Sequence, residues 1–82
     1  MTIERALVCG ATGYVGGRLV PRLLERGVQV RCLVRSPDKM RLFPWRDHPN
    51  LEVFTGDLDD VESVRKAAIG TDAAYYLVHA MI

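Results

Sequence analysis

Hydrophobic and polar positions alternate between two kinds of stretch. Ala6, Leu7, Val8 and Cys9 form a short, wholly apolar run. Runs of this kind suit central strands of a parallel sheet, which are covered on both faces. From Tyr14 to Arg26 the apolar residues Val15, Leu19, Leu23, Val20 and Leu24 recur at helical spacing, with Arg18, Arg22, Glu25 and Arg26 on the other face. Gly27 is placed to end that helix. Pro21 lies inside it, where a bend is expected but not a break, because the amphipathic pattern continues through it. Val28, Val30, Cys32, Leu33 and Val34 form a second strand, with Gln29 and Arg31 between them.

Ser36, Pro37 and Asp38 read as N-cap, first helical position and acidic first turn of a short helix over Pro37–Leu42. The stretch from Phe43 to Asn50, which carries Trp45 and His48, contains Pro44 and Pro49 and reads as a loop or frayed turn. Leu51–Phe54 is a third strand. Asp59 and Glu62 match a capping box that opens a helix with Val61, Val64, Ala67 and Ala68 inward, closed by Gly70. Ala73–Val78 is a fourth apolar run. Strand, helix, strand, short helix, strand, helix, strand predicts an α/β fold with right-handed crossovers. The expected architecture is part of a doubly wound parallel sheet, four strands in order 3-2-1-4, forming one mononucleotide-binding half of a Rossmann fold. Residues 1–82 read as a single segment of such a sheet, expected to belong to a longer chain because a whole doubly wound sheet continues past its fourth strand. That strand is then expected to be an exposed edge through which the chain self-associates.

Composition adds little to this picture. With 49% hydrophobic and 26% charged residues and a net charge of +1, the chain is an ordinary globular domain. The charge gives no reason to expect nucleic acid or an anionic membrane as partner. No apolar run is long enough to cross a bilayer, and a cytoplasmic location is the default expectation. Cys9 and Cys32 fall in strands without ligand-spaced His or Cys neighbours, so they read as small core residues and no metal site is expected.

The chemistry concentrates directly after the first strand, in Gly10, Ala11, Thr12, Gly13, Tyr14, Val15 and Gly16. Three glycines three apart, between a strand and a helix, are what brings a pyrophosphate onto the amides of a helix N-terminus. Gly10 permits the tight turn, the missing Cβ at Gly13 permits close approach, and Gly16 lets the helix pack close to the first strand. Thr12 offers a hydroxyl donor. The bland reading of the same pattern is a tight turn whose glycines serve packing alone.

The second strand ends in Val34, Arg35 and Ser36, with no carboxylate where an NAD-binding domain places one for the ribose 2′-hydroxyl. Arg35 lies nineteen residues past Gly16. Its fork of donors suits a 2′-phosphate, with Ser36 and Lys39 as further donors. NADP is therefore favoured as cofactor, and Asp38 keeps NAD open. Asp57 and Leu58 follow the third strand, and Val78 and His79 the fourth, where the crevice of such a sheet opens. His79 reads as a polar lip residue or as a hydrogen-bonding and proton-relay residue. Tyr75 and Tyr76 read as strand packing.

The spacing GATGYVG resembles the short-chain dehydrogenase/reductase superfamily in its extended and atypical branches, which include NmrA-like and NAD-dependent epimerase-like proteins. The stretch RLVPRLLERG and the pair Gly56, Asp57 are similar to those branches too. The resemblance covers the whole 82 residues and corresponds to the N-terminal part of a family member. It implies that the Asp57 side chain and the backbone N–H of Leu58 meet the adenine ring. It also implies that backbone around Val78 and His79 lies against the ribose and pyrophosphate. The string Tyr76–Ala80 looks like the YLVHS segment of one atypical group, with Ala80 in place of Ser. Members usually carry Tyr and Lys four apart as the acid/base pair. Here Tyr14 is followed by Arg18, Tyr75 by His79 and Tyr76 by Ala80, so no catalytic residue is assigned. The expected function is the NAD(P)(H)-binding segment of an oxidoreductase or sugar-nucleotide epimerase-like protein, not catalytically complete alone. The alternatives left open are an NmrA-like regulator that binds the dinucleotide without turning it over, and a binder of another nucleotide or FAD-like ligand.

Overall fold

The computed structural model describes residues 3–11 and 13–77, Tyr14 by its backbone alone. The strands are β1 (Arg5–Cys9), β2 (Gln29–Val34), β3 (Leu51–Thr55) and β4 (Ala73–Tyr76); the α-helices are α1 (Tyr14–Glu25) and α2 (Val61–Ala68). All pairings are parallel, and the sheet runs β3-β2-β1-β4 as expected.

The direction of travel across this sheet decides which face each helix covers. From β1 to β2 the chain steps one way; from β3 to β4 it steps back across β1. Crossovers of one hand then place the two helices on opposite faces. Alternate strand residues divide accordingly. Ala6, Val8, Val30, Cys32 and Val34 pack with Val20, Leu23 and Leu24 of α1 and with Met40, while Leu7, Cys9 and Leu33 pack with Ala67 of α2. Both faces of β1 are therefore covered, which is why it reads as an unbroken apolar run.

Helix α1 continues through Pro21. It ends in a Schellman motif: the Gly27 N–H donates to the Leu24 carbonyl and the Val28 N–H to the Leu23 carbonyl, with Gly27 at φ +81°. Two inward assignments are corrected. Val15 is 56% exposed and Val61 76% exposed. Each lies in the first turn of its helix, ahead of the residues that meet the sheet, so helical spacing alone overstates the buried stripe.

The connection between β2 and β3 is also corrected. Pro37–Leu42 is a 3-10 helix, and a second 3-10 turn spans Pro44–Asp47. Ser36 occupies the N-cap position but makes no side-chain capping bond. The second turn is held by stacking of Phe43 on Trp45, with ring centroids 4.7 Å apart, and by the Asn50 N–H donating to His48 Nδ1.

Arg31 and Asp72 hold this fold in ways the apolar pattern conceals. The Arg31 guanidinium donates to the Ala67 and Ile69 carbonyls at the end of α2, pairs with Glu52 of β3 at 2.8 Å, and lies over the Phe54 ring. A cation satisfying carbonyls at a helix C-terminus is favoured by the helix dipole. Asp72, just before β4, accepts from the Glu4 and Arg5 N–H groups, fastening β4 to the start of β1.

Candidate dinucleotide-binding site

β1 ends at Gly10, whose φ of +93° is a turn conformation that glycine adopts without strain. The Gly10 carbonyl accepts from the Gly13 N–H at 3.0 Å, and the Gly13 carbonyl accepts from the Gly17 N–H at 2.8 Å to begin α1. Gly13 is thus the N-cap, in an extended conformation. Among the described residues no side chain caps it, and the first turn holds no acidic residue. By helix geometry the N–H groups of Tyr14, Val15 and Gly16 have no intrahelical acceptor. They point out of the helix end together with its partial positive charge, which is the environment an anionic oxygen requires.

Gly16 is required by contact. A Cβ there would overlap the Gly10 carbonyl oxygen and come within 2.7 Å of the Ala11 Cα. Both obstacles are backbone and cannot turn aside. The helix is therefore pressed onto the turn that follows β1, and its amides are brought to the C-terminal edge of the sheet. This edge lies between β2 and β4, where the strand order reverses and ligands of such sheets bind.

Beside the loop is a cavity of about 190 Å³ lined by Gly10, Ala11, Leu33, Val34, Arg35, Ser36, Lys39 and Leu58. It gathers residues from the ends of β1 and β2, the first 3-10 turn and the loop before α2. Gly10, Ala11, Arg35, Ser36, Lys39 and Leu58, all candidates from the sequence, line this one cavity. Leu33 and Val34 complete the lining. Two larger cavities, of about 400 and 470 Å³, open around Arg5 and Gln29 at the opposite ends of the strands, away from the glycine loop.

Arg35 is 70% exposed, and its Nη2 donates to Asp57 Oδ1 at 3.0 Å; Asp59 Oδ2 is 3.7 Å away. The two residues expected at opposite ends of an adenosine are therefore bonded to each other. Asp57 Oδ1 also accepts from the Asp59 N–H at 2.9 Å. These two hydrogen bonds, the backbone one foremost, hold the Asp57 carboxyl below the usual carboxylate range.

The capping residue of α2 is Asp60, not Asp59. Its carboxylate accepts from the Glu62 N–H at 3.1 Å and from the Ser63 hydroxyl at 3.3 Å. The motif is displaced by one position because Asp57 and Asp59 are used in the turn ahead of the helix. Cys9 and Cys32 are buried free thiols, as expected of core residues, and burial pushes Cys32 up to about 12. Thr12, the Tyr14 side chain, Val78 and His79 lie outside the described residues. Tyr75 packs partly on the α1 face, whereas Tyr76 is 57% exposed.

A parallel sheet in order 3-2-1-4 with a glycine turn leading onto a helix N-terminus defines a Rossmann-type dinucleotide-binding domain. The profile of the NAD(P)H-binding family matches residues 10–80, and the chain belongs to that family. It is 40% identical over 74 residues to a 3-beta-hydroxysteroid dehydrogenase of Mycolicibacterium neoaurum, covering 90% of this chain and 19% of the relative. Among solved structures it resembles uronate dehydrogenase of Agrobacterium tumefaciens complexed with NAD, at TM-score 0.74 and 30% identity, over 96% of this chain and 28% of that one. A short-chain dehydrogenase/reductase of Veillonella parvula in complex with NADP shares the fold, at TM-score 0.75 and 20% identity, over 89% of this chain and 34% of that one. The chain thus spans about a fifth of the length of the curated relatives it matches. Among the described residues, no helix is long and apolar enough to cross a membrane.

Proposed function

We propose that this domain holds NADP(H) in preference to NAD(H), as the cofactor-binding segment of a cytoplasmic oxidoreductase or epimerase-like protein. The observation that carries the preference is the lining of the 190 Å³ cavity: among the described residues, two cations, Arg35 and Lys39, one hydroxyl, Ser36, and no carboxylate. A ribose 2′-hydroxyl is recognised by a carboxylate acceptor, whereas a 2′-phosphate needs donors and positive charge. In this reading the amides from Gly10 to Gly16 take the pyrophosphate, with the Thr12 hydroxyl beside them. Arg35, Ser36 and Lys39 take the 2′-phosphate. Leu58 lies against the adenine, and Asp57 offers it Oδ2, since Oδ1 is engaged. By the family resemblance, the backbone around Val78 and His79 would lie against the ribose and pyrophosphate.

Equilibrium binding of NADPH and NADH, followed by nicotinamide fluorescence, tests this directly. Tighter binding of NADPH by roughly tenfold or more is expected, the effect of hydrogen bonds to a charged group. Equal affinities would remove the argument from Arg35.

We also propose that the outer edge of β4 pairs with another copy of the chain. Among the described residues β4 is hydrogen-bonded to β1 alone, with Tyr76 exposed. Unpaired strand edges recruit further strands. Light scattering at increasing concentration is expected to show a dimer or larger species; a monodisperse monomer throughout counts against it.

A further inference from the structure

Three aspartates in four positions precede or open α2, and the structure gives them different work. Asp57 fixes the turn and bonds Arg35; Asp60 caps the helix. Asp59 does neither. Its side chain is 84% exposed, and the partner found for its carboxylate is the Arg35 guanidinium at 3.7 Å, beyond hydrogen-bond reach but within ion-pair range. Only its backbone N–H is used in the turn, so the turn is indifferent to the side chain at this position.

Both carboxylates offset part of the Arg35 charge, and Asp57, the nearer, also bonds it. Asp57 takes one N–H at 3.0 Å and so aims the guanidinium, leaving four of about five donors for another acceptor. Asp59 contributes no directional bond. It adds a negative charge next to the cation that lines the cavity, which lowers the positive potential there and repels an incoming dianion.

We infer that Asp59 is a specificity-determining residue that sets how strongly the site discriminates a 2′-phosphorylated dinucleotide from its 2′-hydroxyl counterpart, by attenuating the charge of Arg35. This rests on the reading of Arg35 as the 2′-phosphate residue. Asp57 is then a positioning residue for the same cation.

The test measures dissociation constants for NADPH and NADH in the full chain and in Asp59→Asn, at low and at high salt. The far-UV circular dichroism of the variant is expected to match that of the parent, since no described hydrogen bond uses the Asp59 side chain. The ratio of NADH to NADPH dissociation constants is expected to rise roughly three- to tenfold in the variant at low salt and to fall back at high salt, as a screened charge effect does. In an Arg35→Met background the same substitution is expected to leave the ratio unchanged. An unchanged ratio in Asp59→Asn, an equal gain for both dinucleotides, or an effect that persists without Arg35 overturns the inference. The parent ratio alone tests the NADP preference. A parent that binds the two equally refutes that preference, whereas the change of ratio between parent and Asp59→Asn, and its loss without Arg35, tests Asp59.

Discussion

Arg35 Nη2 and Asp57 Oδ1 are 3.0 Å apart, joining the end of β2, beside the cavity next to the glycine loop, to the loop after β3. Both side chains are substantially exposed, so the pair adds little to stability. Its consequence is directional: the guanidinium is held at the cavity rim before any ligand arrives.

Replacing Arg35 by Ala is expected to weaken NADPH by about 10- to 100-fold, the scale of one or two hydrogen bonds to a charged group, while changing NADH by less than about threefold. The salt dependence of NADPH binding is expected to flatten in the variant. Titrations at two ionic strengths check both statements; equal losses for the two cofactors would mean that Arg35 acts on the fold instead.

Gly16→Ala is expected to lose stability by about 1–3 kcal/mol, because the new methyl meets the Gly10 carbonyl and the Ala11 Cα, which are backbone. Either helix α1 moves off the turn or the turn deforms. Both displace the amides, so dinucleotide affinity is expected to fall by more than about tenfold even where the domain stays folded. Urea unfolding and NADPH titration separate the two effects.

Arg31→Met is expected to cost about 2–3 kcal/mol, since the side chain is 12% exposed and its charged bonds to the Ala67 and Ile69 carbonyls and to Glu52 are lost together. Lys at this position is expected to recover only part of the loss, having no planar fork. The NADPH to NADH ratio is expected not to change, as Arg31 does not line the cavity beside the glycine loop. A shift in urea midpoint without a shift in that ratio is the signature.

Asp57 and Asp72 both have carboxyls held below the ordinary value of 3.8, each chiefly by backbone N–H donors: Asp59 for Asp57, and Arg5 and Glu4 for Asp72. A depressed folded pKa contributes stability that is complete above the unfolded value and is lost as pH falls through the folded one. Stability is therefore expected to fall as pH drops below about 3.8. Asp72→Asn is expected to be less stable at neutral pH and to show a shallower decline in acid. Urea midpoints from neutral pH into that acid range check this; parallel curves for parent and variant would contradict it.

Much of this domain was legible because its determinants are local. The apolar run Ala6–Cys9, the helical spacing of Val20, Leu23 and Leu24, and the terminating Gly27 each follow from side-chain and backbone preferences over a few residues. Strand order followed from alternation and the handedness of crossovers. The structure departs from the local pattern where two local readings compete. Asp59 and Asp60 are both able to cap α2, and the choice depends on Asp57 claiming the Asp59 N–H. Ser36 has the right neighbours for a cap, but the following turn is 3-10 and makes no such bond. Val15 and Val61 fit a helical stripe that begins before the sheet does.

The sequence by itself determined that a strand, a glycine turn and a helix end meet, because that depends on spacing within seven residues. It also placed a cation, and no carboxylate, after the second strand. Only the tertiary structure decided what that cation faces. Asp57 and Asp59 are more than twenty positions from Arg35 along the chain, and they reach it because β2 and β3 lie side by side in register, Val34 opposite Thr55. The same juxtaposition, together with α2 packed on one face, placed Arg31 under the helix end. Side-chain charge is written in the sequence; which charges share a surface is set by which strands become neighbours.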